Sequence, residues 1–198
     1  MSLDDEMKEY AQMNAVPVMM DEGSDLLIQK ILEYDCHSFL ELGTAIAKTS
    51  IRVASLFEDM RVVTIERNPE MIEQAKINIE KSGYQERICL IEGDALEVDN
   101  PEGEFDCIFI DAAKAQYIRF FEKYASLLSK DGIIVSDNMN FHGLVEHPEN
   151  THNRNTRQLV NKISKYHEFL KGLEDYETTF YQVGDGVALT RRKLYEHV

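Results

Sequence analysis

Asp111 closes the apolar run FDCIFID (105–111), while Asp137 closes GIIVSD (132–137) and is followed at once by Asn138. On neighbouring strands, these runs would bring three oxygen-bearing side chains together at their tips, with no cysteine or histidine immediately among them. Hard oxygen donors select a hard cation. Mg²⁺ suits such a set because it takes a few carboxylates, keeps waters and leaves positions for substrate oxygens; Ca²⁺ or Mn²⁺ could take its place. Lys114 lies three residues past Asp111 at the mouth of the same place, where a lysine can act as a general base. His142 and His147 lie downstream without metal-ligand spacing and read as loop residues.

A second group surrounds a turn. The run SFLEL is followed by GTAIAKTS, where Gly43 lets the backbone bend sharply and approach a ligand. A dinucleotide cradle requires GxGxxG, but the second and third glycine positions are held by Ala45 and Lys48, so nicotinamide and flavin cofactors lose ground. The next run, RVVTIE, ends in Glu66, placed to accept hydrogen bonds from both ribose hydroxyls of an adenosine. A ribose site without a pyrophosphate site points to S-adenosylmethionine (SAM). RICLIE is followed by Gly93, Asp94 and Ala95, an acid and a small residue suited to the adenine. Each acid taken alone reads equally as a helix cap; it is their agreement at successive run ends that favours a ligand.

These residues require a scaffold that gathers strand ends on one rim. Short apolar runs alternate with helical patterns: strands at 38–42, 61–66, 87–92, 105–111 and 132–137, and helices at 22–34, 49–60, 69–83 and 115–129. Strands joined through helices pair in parallel with both faces covered, giving a doubly wound α/β sheet whose ligands sit at the carboxyl ends. The tail differs. A polar stretch, 142–155, precedes a helix from about 156 to 173, and then YETTFYQV (176–183) and GVALTRR (186–192) read as an antiparallel hairpin at a sheet edge. No repeat or linker interrupts the chain, so a single domain over 1–198 is expected.

Composition narrows the function classes. The chain has 198 residues, 43% hydrophobic and 29% charged, which excludes disordered and collagen-like proteins. Cys36, Cys89 and Cys107 are widely spaced and odd in number, against both a disulfide framework and zinc, and are expected as buried thiols. A formal charge of −15 repels polyanions, so DNA and nonspecific nucleic-acid binding are not expected; a specific RNA contact through a local basic patch stays open. Candidates for such a patch are Arg154, Arg157, Lys162 and Lys165 on the late helix, and Arg191 to Lys193 near the end. An acidic start and the lack of a long apolar run lead us to expect a cytoplasmic protein without membrane contact.

These residues resemble the cation-dependent O-methyltransferases, a family that includes catechol and caffeoyl-coenzyme A methyltransferases and bacterial relatives. The resemblance is carried by VPVM (16–19), ELGTAIAKTS, TIERNPEMIEQAKINI (64–79), GDALE (93–97), FDCIFIDAAKAQYIRFFEKY (105–124), IIVSDNMNFHGLV (133–145) and VGDGVAL (183–189). In wording it is nearest to the bacterial branch similar to tRNA 5-hydroxyuridine methyltransferases. It implies a Rossmann-like, mostly parallel seven-stranded sheet with an antiparallel C-terminal hairpin. It also implies metal ligands at Asp111, Asp137 and Asn138, a lysine base at Lys114, and cofactor contacts at Val18, Met19, Glu41, Gly43, Thr49, Glu66, Asp94, Ala95 and Asp111. The implied substrate is tRNA or a small catechol-like phenol, and the implied assembly a homodimer. Relatives usually read GTAIGYS where this chain has GTAIAKT, a change that bears on the turn's shape. The chain begins near VPVM, leaving little room for the extra N-terminal helix of many relatives. A noncatalytic SAM-binding module would need neither the metal triad nor Lys114.

Overall fold

The computed structural model describes residues 2–145 and 147–194. Its centre is a seven-stranded sheet of β1 (Ser38–Leu42), β2 (Arg61–Glu66), β3 (Ile88–Glu92), β4 (Phe105–Ile110), β5 (Leu128–Ser136), β6 (Tyr176–Tyr181) and β7 (Val187–Arg192). The spatial order is β3-β2-β1-β4-β5-β7-β6. β3 through β5 run parallel, and β7 joins antiparallel to both β5 and β6. The order reverses between β1 and β4, which opens a crevice at their carboxyl ends.

Side-chain alternation assigns the two faces. Phe39, Cys107, Phe109, Ile133 and Val135 face helices α1 (Leu3–Met13), α2 (Asp21–Glu33), α3 (Lys48–Ala54) and α4 (Pro69–Ser82). Leu40, Leu42, Ile108, Ile110 and Ile134 face α5 (Tyr117–Tyr124) and α6 (Arg154–Lys171), whose Tyr117, Phe121, Tyr124 and Tyr166 fill that layer. Local signals hold at the ends of α4: Asn68 caps it, Pro69 occupies its first turn, and Gly83 closes it at φ 75°.

Several boundaries differ from expectation. A helix does precede VPVM: Ser2 and Asp5 form a capping box, Met7 and Ala11 of α1 are buried, and Glu6 reaches Lys81 of α4 at 2.8 Å. The helix expected over 49–60 stops at Ala54, where the Ser55 hydroxyl turns back onto the Arg52 carbonyl. The segment 115–129 resolves into a 3-10 turn (Lys114–Gln116), α5 and a second 3-10 turn (Ala125–Leu127). β5 begins at Leu128, ahead of the expected 132, because a register shift opposite Phe105 to Cys107 absorbs the turn-like SKDG. Cys89 is exposed, unlike Cys36 and Cys107, because it lies on edge strand β3.

Candidate active site

At the crevice between β1 and β4 two backbone segments approach closely. Gly43 adopts φ 98°, and a Cβ placed there would stand 2.3 Å from the Asp111 carbonyl oxygen, so only glycine lets these strand tips meet. Beside this turn lies a cavity of about 780 Å³, lined by Val18, Met19, Gly43, Glu66, Asp94, Ala95, Asp111, Lys114 and Asn138, among others. Those residues come from the segment before α2 and from the ends of β1 to β5.

Glu66 is held by backbone donors alone. Its Oε2 accepts from the Ala45 amide at 2.9 Å and its Oε1 from the Arg67 and Asn68 amides, each at 2.9 Å. A carboxylate so pinned still carries free lone pairs for a diol at the cavity wall. Asp94 accepts from the Leu96 amide and from Arg67 at 2.9 Å, bonds that hold its carboxyl below the ordinary range. Two expected cofactor contacts, Glu41 and Thr49, are not among the lining residues. β1 pairs Glu41 with Thr64 of β2, so the carboxylate is buried in a hydroxyl network with Thr64 at 2.7 Å and Ser50, beneath the turn. Burial there pushes its pKa up to about 7.

Beyond the turn, Asp111, Asp137 and Asn138 converge. Asn138 takes a left-handed backbone, φ 60°, and its amide donates to Asp111 Oδ1 at 3.1 Å and to Asp137 Oδ2 at 2.9 Å. The same amide, turned by half a revolution, presents an oxygen instead. Burial, reinforced by the neighbouring Asp137 charge, pushes the Asp111 carboxyl well up; burial likewise raises Asp137 to about 6. Lys114 lines the same cavity, and its charge works against both shifts. Buried Asp137 and half-buried Asp111, bridged by the Asn138 amide, form a donor set suited to a hard divalent cation. Among the described residues no three His, Cys, Asp or Glu side chains cluster as a metal site.

Sequence spacing gave no sign of the residues that hold this triad. Tyr117 donates to the Asp137 carbonyl at 3.2 Å, and His167 Nε2 lies 2.8 Å from the Met139 carbonyl. Both lie at least twenty residues from their partners, so no local pattern marks them. The candidate basic patch divides. Arg192 caps the Leu128 and Ser129 carbonyls, Arg191 pairs with Glu177, Lys193 bonds the Glu174 carbonyl, and Arg157 bonds the Thr151 carbonyl. Arg154, Lys162 and Lys165 of α6 stand exposed.

Comparison with known proteins decides the family: an O-methyltransferase family model matches residues 4–193. The chain belongs to the O-methyltransferase family. Its relatives include the caffeoyl-CoA O-methyltransferase of Populus kitakamiensis, 29% identical over 93% of this chain and 82% of that protein. The flavonoid 3',5'-methyltransferase of Vitis vinifera is 28% identical over 94% and 82%. Among solved structures, a Staphylococcus aureus protein provisionally assigned as a caffeoyl-CoA O-methyltransferase superposes with a TM-score of 0.91 at 38% identity, covering 98% of this chain and 93% of that one. The SAH-bound methyltransferase of Podospora anserina gives a TM-score of 0.87 at 26% identity, with 98% and 88% covered. This O-methyltransferase is SAM-dependent and has the seven-stranded, mostly parallel methyltransferase fold with an antiparallel terminal hairpin. Among its described residues no helix is long and apolar enough to cross a membrane.

Proposed function

We propose that this O-methyltransferase works with a divalent cation, Mg²⁺ in the first place, on a hydroxyl that has a second oxygen beside it, and that its substrate is 5-hydroxyuridine in tRNA. The observation that carries the reading is the convergence of Asp111, Asp137 and Asn138 beside Lys114, next to a cavity that also presents Gly43 and Glu66. Asp111, Asp137 and Asn138 would hold the cation, which would supply a positive charge that acidifies the substrate hydroxyl. Glu66 receives the ribose of SAM, Asp94 and Ala95 the adenine, and the Gly43 turn admits the donor close to the strand tips. Lys114 takes the hydroxyl proton. SAM held there would supply the methyl group to that oxygen, its carbon–sulfur bond being the one broken and S-adenosylhomocysteine the product. Positioning and charge stabilisation carry most of the acceleration in such a transfer.

Support for tRNA comes from the exposed Arg154, Lys162 and Lys165 on α6 and from Arg67 and Arg119 on the cavity wall, local cations on a protein of net charge −15. A small catechol-like phenol is the second reading; it offers the same adjacent oxygens, and the relatives named above for caffeoyl-CoA and flavonoid methylation favour it. The test is methyl transfer from labelled SAM to tRNA carrying 5-hydroxyuridine, with Mg²⁺ and again after chelation. Chelator-sensitive labelling is expected. Absence of labelling in protein that binds SAM removes the tRNA reading and moves the assay to catechols.

A further inference from the structure

The turn between β6 and β7 is docked against the loop that carries the triad. Met139 donates to the Gly186 carbonyl at 2.9 Å, and Asn140 to the Asp185 carbonyl at 2.7 Å. The His142 amide donates to Asp185 Oδ1, while Phe141 and His142 both take left-handed backbone. Packing is tight enough to require small residues. A Cβ on Gly186 would lie 2.8 Å from the Asn140 nitrogen; one on Gly184 would lie 3.3 Å from Gly23, itself packed beside Asp137. Asp185 is only 6% exposed.

Two oxygens in this tight junction lack partners among the described residues: Asp185 Oδ2 and Asn140 Oδ1. Buried polar atoms normally find a hydrogen-bonding partner, and a buried carboxylate oxygen without one is costly. The His142 amide and the His142 ring, its Nδ1 at 3.6 Å, both meet Oδ1 of Asp185, so these contacts leave Oδ2 free. The turn that carries Asp185 also packs, through Gly184, against Gly23, where a Cβ would lie 3.8 Å from Asp137 Oδ1. A loop anchor would need only the one oxygen that receives the His142 amide, and a neutral amide could supply it. A carboxylate with a spare acceptor, on a turn docked to the loop that directly follows Asp137 and Asn138, is suited to a cation and the donors that a cation brings.

We infer that Asp185 and Asn140 form the outer acceptor layer of the metal centre, with Asp185 Oδ2 and Asn140 Oδ1 receiving hydrogen bonds from water on the bound cation. This rests on the metal reading proposed above. Outer-layer partners orient what the metal holds, and removing one commonly weakens metal binding by about 10–100-fold. Asp185 is thus a positioning residue, acting through the metal environment.

Charge and loop anchoring separate in two variants of the full chain. Asp185→Asn keeps an acceptor for the His142 amide but loses the charge, whereas Asp185→Ala loses both. Mn²⁺ titration, read by the electron paramagnetic resonance of free Mn²⁺, gives affinity without reference to turnover, and SAM affinity reports on the fold. For Asp185→Asn a roughly 10–100-fold loss of Mn²⁺ affinity is expected with SAM affinity unchanged. Wild-type Mn²⁺ affinity in Asp185→Asn, with loss only in Asp185→Ala, assigns the residue to loop anchoring and overturns the inference. If neither variant retains SAM binding, Asn140→Ala decides: a several-fold loss supports the inference, and an unchanged affinity refutes it. A wild-type chain that binds no Mn²⁺ overturns the metal reading itself, an outcome separate from the others.

Discussion

Asp106, near the start of β4, and Asp111, directly past its end, have been treated in opposite ways. At the amino end, Asp106 accepts from the His37 and Ser38 amides at 3.0 and 3.1 Å and from the Ser38 and Ser129 hydroxyls at 2.9 and 2.8 Å. Burial alone would push its pKa up, but these four donors bring it below the ordinary carboxylate value. At the carboxyl end, the Asp111 side chain receives the Asn138 amide, faces Asp137, and is pushed well up. The first carboxylate is satisfied by the fold; the second is left in need of charge. That difference separates an anion that ties strands together from one that the fold leaves short of donors, although their positions in the chain are only five apart.

The contrast can be broken by experiment, most severely at the carboxyl end. Asp137→Ala should abolish metal-dependent methyl transfer while SAM affinity stays within a few-fold of wild type, as calorimetry with SAM and a labelled-methyl assay would show. Retained turnover would remove the triad from the mechanism. Lys114→Ala should slow transfer by about 10²–10⁴ with SAM and Mn²⁺ binding intact, the usual scale for a lost general base. A rate near wild type in a single-turnover measurement would dismiss Lys114 from that role.

At the amino end the expected loss is of stability. Asp106→Ala leaves the His37 and Ser38 donors without their acceptor and should lower stability by about 2–3 kcal/mol, read from denaturant melts, with Mn²⁺ affinity unmoved. Equal damage to metal affinity would erase the distinction between the two ends. The smallest effect is expected at Glu41, buried beneath the turn with a native pKa of about 7 against an ordinary 4.5. Between those values the folded state holds a proton that the unfolded chain lacks. Its contribution to stability therefore falls as pH rises from about 4.5 to 7, and stays lost above that. Glu41→Gln should flatten this part of the pH dependence and raise the melting temperature at pH 8 by a few degrees, at roughly 2–4 °C per kcal/mol for a chain of this size. Parallel pH profiles for wild type and variant would assign the buried charge elsewhere.

Much of the site was legible because strand ends leave local traces. An apolar run closing in an acid, as in FDCIFID and RVVTIE, marks both the strand and the residue it delivers to the rim. Asp111, Asp137 and Glu66 close such runs, and Gly43, Lys114 and Asn138 lie within three residues of a run's end. Glu41 misled because alternation along β1 does not say which face opens on the cavity; pairing with Thr64 places it in the hydroxyl network. The α1 helix was missed: Ser2 and Asp5 form a local cap, but its acidic first turn reads as a polar stretch until α4 provides a surface for Met7 and Ala11. The β5 start was hidden by SKDG, whose turn-like composition is absorbed by the register shift.

Neighbouring residues carry the alternation of strands and helices, the acids that close the runs and the glycine at the first turn, because periodicity and punctuation are local properties. Which acids are satisfied and which are left in need of a partner is settled by folding. Asp106 draws its donors from β1 and from the start of β5, and Tyr117, His167 and Asp185 reach the triad's loop from elements far along the chain. Whether a buried carboxylate serves structure or chemistry depends on the count of donors around it, and those donors are assembled only when the sheet closes.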